Sequence, residues 1–126
     1  MMLYKNILLI DDDQDDAEIF TDAIQSLERG ILVQSLFNSV LAFEELRNKE
    51  LLPDLILLDY NMPALNGYEF LQKMKTNERL QNIPVIMIST PTDEFILQAI
   101  KTDGLCRYFS KPNSYNELVS ILSGIL

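Results

Sequence analysis

Four groups of residues in this 126-residue chain could do chemistry together. Asp11, Asp12 and Asp13 follow the apolar run 7–10, and Asp59 stands alone after the run 55–58. Ser89 and Thr90 follow the run 85–88, and Ser110, Lys111 and Pro112 follow the weaker run 106–109. Carboxylates gathered in one place repel each other and need a cation. Hard oxygen ligands with few nitrogens or sulfurs suit Mg²⁺, which keeps several waters and leaves positions for a phosphoryl oxygen. A carboxylate beside such an ion can act as a nucleophile and become an aspartyl phosphate. A lysine, a hydroxyl and the metal can then balance charge on the transferred group. Asp59, at the end of the central apolar run, is the natural nucleophile, and Asp11 and Asp12 are the natural metal ligands.

These groups meet only if the elements bring them to one edge. The chain alternates short apolar runs with longer segments of helical spacing. The runs 7–10, 32–37, 55–58, 85–88 and 106–109 have the length of strands buried on both faces of a parallel sheet. Helical stripes lie between and after them: Ala17, Phe20, Ala23, Ile24 and Leu27; Val40, Phe43 and Leu46; Phe70, Leu71 and Met74; Ile96, Ala99 and Ile100; and Tyr115, Leu118, Val119, Leu122 and Ile125. Ser39 and Thr92 read as N-caps, and Gly30 and Gly104 as helix stops. Pro53 and Pro84 precede the third and fourth strands, where a helix could not continue. Five strand–helix units imply right-handed crossovers and an α/β sandwich. In an open parallel sheet, ligands bind beyond the carboxyl ends of the strands, where the four polar groups would converge. No linker, repeat or second composition block appears, so residues 1–126 read as one domain.

Composition narrows the function classes. Ten Lys and Arg against nineteen Asp and Glu give a net charge of −9, which disfavours phosphate backbones and anionic lipid. No nucleic-acid or membrane partner is expected. There is no histidine, which removes His-based catalysis and His-ligated metals, and one cysteine, which removes an intramolecular disulfide. No apolar stretch is long enough to span a bilayer and no signal peptide is evident, so a cytoplasmic protein is expected.

Each group also has a plainer reading. Residues 11–18 hold six acids in eight positions, and such a cluster is commonly a solvated helix start that suits the helix dipole; Asp15, Asp16 and Glu18 are assigned to that role. Asp59 alone could be a turn residue, Ser89 and Thr90 a strand-end cap, and Lys111 a surface lysine. The joint pattern at four strand ends is far harder to produce by chance. A calcium loop on Asp11, Asp13 and Asp15 fails, because Asp16 stands where glycine is needed and Asp22 where glutamate is needed. No glycine-rich phosphate loop follows the first strand. Asn66-Gly67 is a turn signal, and Cys106 reads as a small buried strand residue.

Taken together, the segments ILLIDDD (7–13), LLDYNMP (57–63), Asn66-Gly67, IPVIMIST (83–90) and YFSKP (108–112) resemble a response-regulator receiver domain of the chemotaxis-regulator type. The resemblance covers essentially the whole chain, and the order and spacing of the pieces make it specific. It implies a flavodoxin-like (βα)₅ three-layer sandwich with a parallel five-stranded sheet of order 2-1-3-4-5. It implies that Asp59 is the phosphoacceptor and that Asp11, Asp12 and Asp59 hold Mg²⁺ with the backbone carbonyl of Asn61. Ser89 would be the switch hydroxyl, with Thr90 beside it. Lys111 would pair with the phosphoryl group, and Pro112 would follow in the cis form often seen there. Tyr108 would be the aromatic that turns inward on activation. The phosphodonor would be a histidine kinase or histidine phosphotransferase, and the output a downstream protein target reached through the last helices and strand.

A receiver is not an enzyme beyond its own phosphorylation and dephosphorylation. It is expected as a monomer or a phosphorylation-dependent dimer, here as a single domain without an output domain. Three departures stand out: Asn66 for the usual Asp, Asn113 where an aromatic is common, and Pro91 two residues after Ser89. A proline side chain cannot orient a water, so a comparatively long-lived aspartyl phosphate is expected. Two alternatives remain open: a pseudo-receiver serving as a binding module, and a phosphatase with its nucleophile among Asp11 and Asp13.

Overall fold

The central apolar run becomes strand β3 (Leu55–Asp59), every residue of which is buried. Around it in the computed structural model lie β1 (Asn6–Ile10), β2 (Leu32–Leu36), β4 (Val85–Ser89) and β5 (Cys106–Ser110), all parallel, in the order β2-β1-β3-β4-β5. Residues 4–49, 52–89 and 106–126 are described by the structure. The expected helix around Ile96, Ala99 and Ile100 lies outside them, as do Thr90, Pro91, Thr92 and Gly104.

Strand periodicity divides the core in two, because successive side chains point to opposite faces. Ile7, Leu9, Leu55, Leu57, Ile86 and Ile88 pack with Ala17, Phe20, Leu118 and Leu122, from helices α1 (Gln14–Gln25) and α4 (Tyr115–Ile125). Leu8, Ile10, Ile56, Leu58, Val85 and Met87 pack with Phe43, Leu46, Phe70 and Met74, from α2 (Ser39–Asn48) and α3 (Gly67–Lys75). The result is a three-layer sandwich. Each fully buried Leu or Ile contributes about 1.5–3 kcal/mol relative to exposure, which is why runs of four suffice to fix the sheet.

The helix starts use short polar side chains. Asp13 caps α1 by accepting from the amides of Asp15 and Asp16. Asn66 caps α3 in a capping box with Glu69, so the Asn66-Gly67 turn signal is also a helix start. Ser114 caps α4. The expected cap at Ser39 is corrected to Asn38, whose side chain accepts from the Leu41 amide at 3.0 Å. Ser39 is instead buried, and its hydroxyl donates to the Leu65 carbonyl at 2.7 Å. Helix α1 ends at Gln25, ahead of Leu27, and the chain reverses through Glu28 and Gly30, both with positive φ.

Candidate functional site at the carboxyl edge of the sheet

Parallel register sets the strand ends side by side. Ile10 pairs with Leu36 and Leu58, Asp59 with Ile88, and Ser89 with Ser110. The ladder continues one residue further at two places: the Asp11 amide donates to the Leu36 carbonyl at 3.1 Å and the Tyr60 amide to the Ile88 carbonyl at 2.8 Å. One backbone hydrogen bond at the Asp11 amide and one at the peptide after Asp59 thereby fix the backbone that carries the two carboxylates.

The site itself is a small acidic cluster. Carboxylate oxygens of Asp11, Asp12 and Asp59 lie within 4.8 Å of one another. Asp11 and Asp59 are buried and Asp12 is exposed. One oxygen of Asp11, Oδ1, accepts from the Asp13 amide at 3.0 Å. The other, Oδ2, is buried without a hydrogen-bond partner among the described residues. A buried carboxylate oxygen in that state costs on the order of 1–3 kcal/mol unless something satisfies it. A buried orphaned oxygen on one of three converging acids fits a hard divalent cation. Asp59 Oδ1 accepts from the Asn61 amide at 3.4 Å, which draws the backbone of Asn61 to the cluster.

Lys111 brings positive charge. Its Nζ lies 3.7 Å from Asp59 Oδ1 and donates to Asp16 Oδ2 at 2.9 Å. Burial pushes the Asp11 carboxyl up, and the neighbouring charges of Asp59 and Asp16 add to this; the Asp13 amide and Lys111 work against it, and the group settles at about 7. Burial likewise raises Asp59, against the lowering pull of Lys111 and the Asn61 amide. Burial pulls Lys111 down, but the Asp16 hydrogen bond and the charges of Asp59 and Asp11 outweigh it and leave the ammonium above its ordinary value.

The sequence-derived residues distribute as follows. Asp11, Asp12, Asp59 and Lys111 come together, with the Asn61 backbone beside them. Ser89 ends β4 at the same edge by register. Tyr108 lies on β5, half-buried against the α2–α3 side of the core. Thr90 lies outside the described residues. The cis form expected at Pro112 is corrected: no described peptide bond is cis. Cis and trans X–Pro bonds differ by only about 0.5–1 kcal/mol, so a sequence motif alone does not decide the isomer.

Asp16 is the residue the sequence left to solvent. Its position follows from packing. Phe20, one helical turn after Asp16, meets Phe109 with ring centroids 6.3 Å apart. Lys111 is two residues beyond Phe109, one residue past the end of β5. The i, i+4 spacing of Asp16 and Phe20 on the helix and the two-residue step from Phe109 past the strand end to Lys111 are the signal that sets Asp16 near Lys111.

Residues 7–123 match the family described as the response regulator receiver domain. A sensor histidine kinase, CheAY, from Helicobacter pylori is 29% identical over 119 residues, covering 92% of this chain. The chain spans 14% of that relative's length. The crystal structure of the phosphorylated cyanobacterial phytochrome response regulator RcpA matches with a TM-score of 0.83 at 30% identity, covering 97% of this chain and 91% of that one. The Mn²⁺-bound form of response regulator Rcp1 matches with a TM-score of 0.83 at 28% identity, covering 96% and 91%. Among the described residues, no helix is long and apolar enough to cross a membrane.

Proposed function

The chain belongs to the response regulator receiver domain family of two-component signalling, and on that footing we propose that it accepts a phosphoryl group onto Asp59 in a Mg²⁺-dependent reaction. The donor is a histidine kinase or histidine phosphotransferase. The observation that carries this reading is the buried Asp59 carboxylate at the end of β3, with Lys111 Nζ at 3.7 Å and the Asp11 and Asp12 carboxylates converging on it. The phosphorylated state of RcpA and the Mn²⁺ bound by Rcp1 support it from the side of similar proteins.

In the proposed reaction an Asp59 carboxylate oxygen attacks phosphorus. The bond from phosphorus to the donor imidazole nitrogen breaks, and its electron pair stays with the imidazole. Asp11, Asp12 and Asp59 would hold Mg²⁺, with the Asn61 carbonyl as a further ligand. When bound, the ion supplies positive charge that offsets the crowded carboxylates and the incoming phosphoryl oxygens. Lys111 stands where its ammonium can meet one phosphoryl oxygen, and Ser89, which ends β4 at the same edge, is the hydroxyl residue that would meet another. The new group adds about −1.5 to −2 of charge. Movement of Ser89 toward it opens space for Tyr108, and the surface of β5 and α4 changes for a protein partner, as a shift between two states that the phosphoryl group biases. A phosphatase built on Asp11 and Asp13 fits less well, because the Asp13 carboxylate is engaged in capping α1.

Intact mass after incubation with acetyl phosphate tests the reading. One added phosphoryl group is expected, dependent on Mg²⁺ and absent in Asp59→Asn. A gain that persists in the variant would move the acceptor to another carboxylate. No gain in the wild type, with Mg²⁺ binding confirmed, would favour a pseudo-receiver.

A further inference from the structure

The Lys111 ammonium is held by Asp16 more closely than by the proposed acceptor. It donates to Asp16 Oδ2 at 2.9 Å, whereas 3.7 Å to Asp59 Oδ1 is beyond hydrogen-bond length. Asp16 is not among the three acids whose oxygens converge. Nor does it cap its helix, since the capping carboxylate is Asp13. We infer that Asp16 is a positioning residue that holds Lys111 back from the phosphoryl site and so restrains transfer to Asp59. The inference rests on the phosphoacceptor reading of Asp59.

The physics is a competition for one cation. The arriving group carries up to about two negative charges. In the inferred competition Lys111 serves it by loosening its bond to Asp16, and the Asp16 carboxylate beside the ammonium repels the same group. Both effects oppose transfer, and neutralising Asp16 removes both. The side chains of Lys111 and Asp16 are 28% and 34% exposed, so solvent and salt screen the pair. A pair of that kind changes the rate by roughly two- to fivefold. A lysine also has three donors. Were Lys111 able to keep Asp16 while serving the phosphoryl group, losing Asp16 would slow transfer, so the sign of the effect decides the matter.

The test compares wild type, Asp16→Asn and Asp15→Asn by intact mass over time, with acetyl phosphate and saturating Mg²⁺. Asp15 is an exposed acid one residue away and controls for the loss of one charge. Asp16→Asn is expected to gain its phosphoryl group roughly two- to fivefold faster, with Asp15→Asn near the wild-type rate. An Asp16→Asn rate at or below wild type, or an equal acceleration in Asp15→Asn, overturns the inference. A second readout needs no phosphorylation: the ¹H–¹⁵N signal of the Lys111 ammonium. It should persist in wild type and Asp59→Asn and vanish through fast exchange in Asp16→Asn. Should the wild type take no phosphoryl group, the acceptor reading falls, and this signal still decides whether Asp16 holds the lysine. Its persistence in Asp16→Asn overturns the hold.

Discussion

Ala64 sits five residues after Asp59 with φ at +67°. That region costs a residue with a β-carbon roughly 1–2 kcal/mol. The conformation is imposed from both sides. The Leu65 amide donates to the Pro63 carbonyl at 2.7 Å across Ala64, and the Leu65 carbonyl accepts from the buried Ser39 hydroxyl at 2.7 Å. Helix α2 thus pins the loop that follows the proposed acceptor, and Ala64 absorbs the strain. Ala64→Gly should relieve it, partly offset by the freer unfolded chain. The expected gain is about 0.5–1 kcal/mol, seen as a higher urea midpoint with an unchanged slope. A lower midpoint would mean that the alanine methyl contributes more than the strain removes. Nothing in the sequence announces this residue, since alanine is not a turn former and Asn66-Gly67 draws attention two positions further on.

Between elements, α3 starts in close approach to the end of β3. A β-carbon on Gly67 would meet Met87 Sδ at 2.6 Å, the Tyr60 Cα at 2.8 Å and the Asp59 carbonyl oxygen at 2.9 Å. The Met87 side chain can yield; the backbone on either side of the Asp59–Tyr60 peptide cannot move without carrying the carboxylate with it. The Gly67 amide also donates to the Tyr60 carbonyl at 3.0 Å. Gly67→Ala is therefore expected to cost about 1–3 kcal/mol and to slow phosphorylation of the fraction that stays folded. Thermal melts and intact mass on one preparation check both. A variant with wild-type melting and wild-type rate would show that the junction has slack.

At this scale the sequence is informative where short-range pattern decides. The apolar runs place all five strands: β1, β3 and β4 because they are buried on two faces and a polar residue marks the end of each, and the partly covered edge strands β2 and β5 because their runs still fall between helical segments. The approach of Gly67 to Asp59 is not legible, since a glycine after asparagine equally suits an open turn. The N-cap of α2 falls one residue early because Asn38 and Ser39 are both good caps, and only the buried partner of Ser39 separates them. The Lys111–Asp16 contact joins residues 95 apart, and it needs the pairing of Phe20 with Phe109 to fix the rotation of α1 against β5.

Across the whole molecule, the fold holds carboxylates where burial opposes their charge, and two apolar cores on either side of β3 support that cost. The consequence is a dependence of stability on pH. The Asp11 carboxyl lies at about 7 in the folded chain, against 3.8 as its ordinary value. Between these values the folded state binds more protons than the unfolded one, so unfolding free energy falls as pH rises. The contribution is full below pH 3.8 and lost as pH passes about 7. At about 1.4 kcal/mol per pH unit, the loss between pH 5 and 7 is at most ~3 kcal/mol. Asp59 is shifted in the same direction and adds to it. Asp11→Asn cannot titrate there, so in chelator its stability should exceed that of the wild type increasingly across this window. Mg²⁺ binds the deprotonated acids, so its stabilising effect on the wild type should grow as pH rises through the same window and be largely lost in the variant. Urea unfolding at pH 5, 6, 7 and 7.5, with chelator and with Mg²⁺, measures both. Parallel pH profiles for wild type and Asp11→Asn would mean that Asp11 does not carry the proton, and the source of any remaining slope would then be sought at Asp59.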